Sequence, residues 1–192
     1  MSNSSNKSAL LVMDMQNSIV SRYVDNDKLL SPFQQSIAFA RDQGIPVIYV
    51  KVAFRAGFPE INPNNKMFGN TRNRAGSMTI PEEMTQIHQS VEPREDEIIV
   101  NKLRVSAFTG SDLDVILRSN HINTLILSGI ATSGVILSTL REAADKDYTI
   151  KVLSDACIDP DPETHRVLIE KVFPAQAEVV TVDEWIISQN HS

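Results

Sequence analysis

A single cysteine, Cys157, in 192 residues excludes an intramolecular disulfide and a thiolate metal site. Nor do the four histidines, His88, His121, His165 and His191, help a metal: none shows H-x-H, H-x-x-x-H or D-x-H spacing, so no metal and no cofactor is expected. Basic residues never gather into a run, and the formal net charge of −6 argues against nucleic acid as a partner. No apolar stretch approaches the ~20 residues of a membrane span, so no membrane partner is expected. The polar start MSNSSNKS lacks the apolar core of a secretory signal, making a cytoplasmic location the expectation. Repeats and low-complexity segments are absent too, and the length suits one domain over residues 1–192.

What is present alternates between two periods. Ala9 to Met13, Ile45 to Val50, Glu97 to Asn101, Thr124 to Leu127, Thr149 to Leu153 and Glu178 to Thr181 are short apolar or β-branched runs that predict strands. Between them, Lys28 to Gln43 reads as an amphipathic helix with Leu29, Leu30, Phe33, Ile37 and Ala40 inward, stopped by Gly44 and Pro46. Pro81 opens a short helix to about Ser90. Thr109 and Asp112 suggest a variant capping box for a helix through Ser119. Asp161 caps and Pro162 begins a helix through Val172, and Asp183 to Ser188 forms the last helix with Trp185. Strands alternating with helices throughout imply a doubly wound α/β sheet. The pattern breaks over residues 53–79, a Gly-, Pro- and Asn-rich stretch carrying Arg55, Phe58, Lys66, Phe68 and Arg72. Its length suits an active-site lid, although a solvated insertion without a role has the same composition.

The chain is organised around residues 124–144. A buried strand there runs into a turn bracketed by Gly129 and Gly134, then into a helix on which Val135/Ile136, Thr139/Leu140 and Ala143/Ala144 recur at helical spacing. Such a turn presents backbone N–H groups at the carboxyl end of a strand, where open α/β sheets bind ligands and a helix N-terminus favours an anion. Two glycine motifs are excluded. Val135 and Ile136 stand where an NTP loop needs Lys and Ser or Thr, and Ala131 stands where the dinucleotide fingerprint needs glycine. Two charged residues stand at other strand tips. Asp14 follows the first strand and either serves chemistry there or merely caps the next turn; Lys102 follows the third and is otherwise an ordinary surface lysine.

Taken in order, three motifs resemble the isochorismatase-like hydrolase superfamily, which includes nicotinamidases and other cysteine hydrolases, over nearly the whole chain. They are Asp14-Met15-Gln16 for a strand-terminal D-x-Q, Lys102 ahead of Ser106-Ala107-Phe108, and Gly129 through Ala143 for G-x-x-T-x-x-C-V-x-x-T-x-R-D-A. The resemblance implies a three-layer α/β/α sandwich with a six-stranded parallel sheet of order 3-2-1-4-5-6. It also implies a cis Ile130–Ala131 peptide and a homo-oligomer, a dimer or larger. One departure bears on chemistry: the position of the family's nucleophilic cysteine is occupied by Val135, and Cys157 reads as a small buried core residue. The metal ligands that nicotinamidases carry after the second strand have no counterpart in Lys51-Val52-Ala53-Phe54. The chain is more similar to the true isochorismatase branch, which also lacks the thiol and shares Lys102, Arg104, Ser106, Ala107 and Phe108 in sequence.

On that resemblance the expected activity is hydrolysis of a small-molecule vinyl ether such as isochorismate, with Asp14 as general acid/base and Lys102 as its charged partner. The backbone at Ala131 and Val135 supplies candidate oxyanion or carboxylate donors. Gln16, Arg55, Phe58, Arg104, Thr132 and Ser133 are candidate substrate contacts. The alternatives are water-mediated amide or ester hydrolysis, with Ser133 a weaker nucleophile candidate, and a degenerate member that binds a metabolite or assembles without turnover. An adjacent cation lowers a carboxyl pKa and burial raises it; for Asp14 the sequence leaves that balance open.

Overall fold

The computed structural model describes residues 7–24, 26–69, 78–80 and 82–189. Six strands, β1 (Lys7–Met13), β2 (Val47–Val52), β3 (Ile98–Lys102), β4 (Ile122–Ile130), β5 (Thr149–Ile158) and β6 (Glu178–Val180), form one sheet. Every pairing is parallel and the order is β3-β2-β1-β4-β5-β6, as the resemblance implies. Helices α1 (Asn17–Tyr23), α2 (Ser31–Asp42), α3 (Leu113–Ser119), α4 (Leu137–Asp145), α5 (Pro162–Val167) and α6 (Val182–Gln189) cover its two faces. Alternation along β1 divides the core. Leu11 and Met13 face a cluster with Leu113, Leu117, Leu140 and Phe173, while Leu10 and Val12 face one with Phe33, Ile37, Ala40 and Trp185. The central strand is thus apolar on both sides, which is why it reads as an unbroken hydrophobic run.

Several local expectations give way to turn chemistry. The helix expected from Lys28 starts at Ser31, because Asn26 accepts from Lys28 N and closes a 3-10 turn over Asp27–Leu30 that leaves Leu29 exposed. Pro46 has no N–H for the ladder, and β2 begins one residue later and runs to Val52. The stretch expected as a helix up to Ser90 is instead two 3-10 turns, Glu83–Thr85 and Gln89–Val91; Pro81 itself lies outside the described residues. The Thr109–Asp112 capping box is absent: Thr109 Oγ1 donates to Glu142, Asp112 makes no side-chain cap, and Ser111 Oγ accepts from Leu113 N. Asp161 does cap α5, accepting from Glu163 N and Thr164 N.

The helix α1 is absent from the sequence-based expectations. Its apolar signal is only Ile19, Val20 and Tyr23, too short to outweigh the Ser and Asn around it. It begins three residues after Asp14 and forms one wall of the site.

Candidate active site

At the carboxyl edge of the sheet, β1 delivers Asp14 in a left-handed backbone conformation, with φ of 57° and its N–H bonded to Val50 O. Lys102, the last residue of β3, reaches past β2. Its Nζ lies 2.8 Å from Asp14 Oδ2 and donates to Val105 O at 2.7 Å. The pair is almost dry, with side-chain exposures of 2% for Lys102 and 10% for Asp14, so solvent screens it little. Asp14 Oδ1 is buried and takes no hydrogen bond among the described residues. Burial raises the Asp14 carboxyl above the ordinary carboxylate range, outweighing the ion pair and hydrogen bond to Lys102 that pull it down. Folding therefore tightens proton binding at Asp14. Its contribution to stability is full below the unfolded pKa and is lost as pH rises through the folded one.

The turn after β4 supplies the facing wall. Gly129 has φ of 148°, and a Cβ there would sit 2.2 Å from Met13 O, so close packing of β4 on β1 requires glycine. A cis Ile130–Ala131 peptide follows, as the resemblance implies. A π-helical turn, Thr132–Ile136, then leads into α4. Ala131, Gly134 and Val135 line a cavity of about 490 Å³ together with Asp14 and Lys102. Val135, where the resemblance would place the family's thiol, is buried in that wall. Cys157 lies elsewhere, in β5 opposite Gly129, where burial pushes its thiol pKa up. It does not line the cavity.

Several candidate contacts fall outside this cavity. Thr132 is fully buried with its hydroxyl 2.8 Å from His165 Nδ1. Ser133 is exposed, and its N–H donates to Asp159 Oδ2 at 2.7 Å, a carboxylate where the helix start favours negative charge. Neither faces the Asp14 side of the turn, which removes Ser133 as a nucleophile for this site. Arg55 is exposed and paired with Glu60 at 2.5 Å, while Arg104 donates to Leu103 O and Glu60 O. Phe58 packs with Phe54 and Phe68 in a separate apolar cluster. Gln16 does line the cavity, but its amide bonds to Val52 N, Val52 O and Thr85 O. It fastens β2 to the Glu83–Thr85 turn. From the 53–79 segment the cavity takes Met67, Phe68 and Met78; Lys66 stays outside, and Arg72 lies outside the described residues.

Sequence reading missed the α1 wall, Ser18, Ile19, Arg22 and Tyr23. Spacings of three and four among these residues were the available signal. It also missed the pair that braces the turn from behind, His165 and Asp159. Burial lowers the His165 pKa and Asp159 opposes that shift. Nothing in one dimension brings either residue to Thr132 and Ser133. Among the described residues, no group of three or more His, Cys, Asp or Glu side chains is placed to hold a metal ion. Nor is any helix among them long and apolar enough to cross a membrane.

Comparison with known proteins matches the isochorismatase domain over residues 8–184. The uncharacterised isochorismatase family protein YwoC of Bacillus subtilis is 28% identical over 182 residues, covering 94% of this chain and 93% of that protein. Ureidoacrylate amidohydrolase RutB of Pseudomonas syringae pv. syringae is 29% identical over 178 residues, covering 82% of this chain and 73% of RutB. Among solved structures, a cysteine hydrolase from Pseudomonas syringae pv. phaseolicola shares the fold. Its TM-score is 0.87 at 22% identity, over 96% of this chain and 93% of that one.

Proposed function

The chain belongs to the isochorismatase family of hydrolases, and on that premise we propose that it hydrolyses a small vinyl ether by acid–base chemistry at Asp14, without a thiol nucleophile. The observation that carries this reading is the buried Asp14–Lys102 pair at 2.8 Å, facing Val135 across one cavity. In the first step the Asp14 carboxylic acid protonates the vinyl carbon, and the ether oxygen shares the positive charge of the oxocarbenium ion. Water adds to the cationic carbon and returns a proton to Asp14. The hemiketal then collapses to a carbonyl product and an alcohol. Lys102 holds the carboxylate that forms when the proton leaves, the moment at which an unpaired buried anion would cost most. A carboxyl pKa raised by burial keeps a proton available for this step.

A second reading is favoured by the likeness to ureidoacrylate amidohydrolase. There, ionised Asp14 would take a proton from a water that attacks an amide carbonyl. Val135 offers no covalent route. A panel of isochorismate, small amides and small esters tests these readings with the wild type and with Cys157→Ala. We expect isochorismate turnover at equal rates in both. Amide turnover instead selects the second reading, and equal loss of every activity in Cys157→Ala contradicts both. A panel with no turnover at all leaves a binding protein.

A further inference from the structure

Three charged side chains, Asp14, Lys102 and Arg22, line the cavity among the described residues. The first two neutralise each other when ionised. Arg22, in the last turn of α1, forms no ion pair or hydrogen bond among the described residues. Of the eight arginines among the described residues, Arg41, Arg55, Arg118 and Arg166 pair with carboxylates, Arg104 and Arg141 donate to a carbonyl or an amide, and Arg94 bonds Glu97 through its backbone N–H. Arg22 and Arg94 are the two without a side-chain bond among these residues, and Arg22 is the one on the cavity wall. Ile19, three residues before Arg22, and Tyr23, four after Ile19, line the same cavity with apolar surface. We propose that Arg22 is an anion subsite: it binds a carboxylate on the substrate, while the body of the substrate lies along the apolar wall toward Asp14.

This assignment rests on the hydrolase reading for the word substrate, but the binding itself does not. Geometry narrows the ligand class. Arg22 stands five residues into α1, about 7.5 Å along the axis from Asn17 at 1.5 Å per residue. Because α1 starts three residues after Asp14, the anionic group binds at the end of the helix away from that start. A planar guanidinium with its fork free matches a carboxylate in two parallel hydrogen bonds. One unpaired cation suits a monoanionic group better than a phosphate dianion, for which no second free cation lines the cavity among the described residues. An apolar middle between a charged group at each end selects a compact organic acid over a sugar or a neutral amide.

The test compares benzoate with its uncharged isostere benzamide by calorimetric titration of wild type, Arg22→Gln and Arg22→Lys. Wild type is expected to prefer benzoate by about tenfold. Arg22→Gln should lose that preference while holding benzamide as before, and Arg22→Lys should retain part of it. The preference should fall at high salt, because Arg22 is exposed. Equal affinity for the two probes in wild type, an unchanged preference in Arg22→Gln, or no saturable benzoate binding overturns the subsite. Benzoate has no bond for this chemistry to hydrolyse, and the benzamide titrations are checked for released benzoate. Benzoate preference without activity on the substrate panel thus leaves the subsite standing and sinks the hydrolase reading, and activity without the preference does the reverse.

Discussion

Asp14→Asn is expected to lower kcat by roughly 100- to 10,000-fold, the range in which a positioned general acid contributes. Asparagine keeps the size of the side chain and still accepts a hydrogen bond from Lys102, but it has no proton to give to carbon. KM should change far less if the substrate anion is held at Arg22 and its body on apolar surface. Some loss of stability is also expected, since Lys102 is only 2% exposed and would keep Val105 O but lose its counter-charge. Denaturant unfolding followed beside the kinetics separates the two effects. A folded Asp14→Asn enzyme with kcat near that of the wild type would remove Asp14 from the chemistry.

Val135→Cys, made in a Cys157→Ser background, should give a thiol that iodoacetamide alkylates faster than Cys157 does in the wild type. The new thiol would stand in the first turn of the run leading into α4 and share the cavity with Lys102. A helix start and a nearby cation both stabilise thiolate, and cysteines so placed have pKa values of roughly 3.5 to 7.5 against about 8.5 for a free one. At neutral pH one unit of that difference is about tenfold in thiolate. Cys157 has the opposite setting, buried with its thiol pushed up and no cation among the causes of its shift. Amide hydrolysis by the variant is a weaker expectation, because a displacement of ~1 Å at the attacking atom costs on the order of 100-fold. Labelling no faster than a free thiol between about pH 5 and 9, in folded protein, would mean that residue 135 does not face the Asp14–Lys102 pair.

The strand tips were legible because a parallel sheet buried on both faces writes itself as apolar runs, and a charged residue ending such a run stands out. Asp14 and Lys102 were found that way, as was the Gly129 turn, whose glycine answers a backbone contact with β1. Side-chain partners across the fold were not legible. The charge balance of Asp14 depends on how completely the surrounding layers exclude water. The arginines at 55 and 104 looked like substrate ligands because one dimension hides Glu60, which occupies them both through its carboxylate and its carbonyl. Gln16 looked like a contact and proves to be a fastening, for the same reason. Arg22 went unnoticed because α1 is seven residues long with a weak apolar stripe, so its cavity-facing side was invisible until the helix was placed.

The pH dependence of kcat/KM on the vinyl ether substrate, measured for the wild type and for Lys102→Met, reads the proton on Asp14 and its control by Lys102. An acid at Asp14 works while protonated, so the rate should be high on the acidic side and fall as pH rises through its raised pKa. Methionine fills the same buried volume without the charge and the hydrogen bond that hold this pKa down, so the descending limb should move to higher pH even if the maximum rate falls. A limb that stays in place or moves to lower pH, or a rate that climbs with pH across the same range, would contradict the claim that Asp14 is the proton donor and Lys102 its tuning partner.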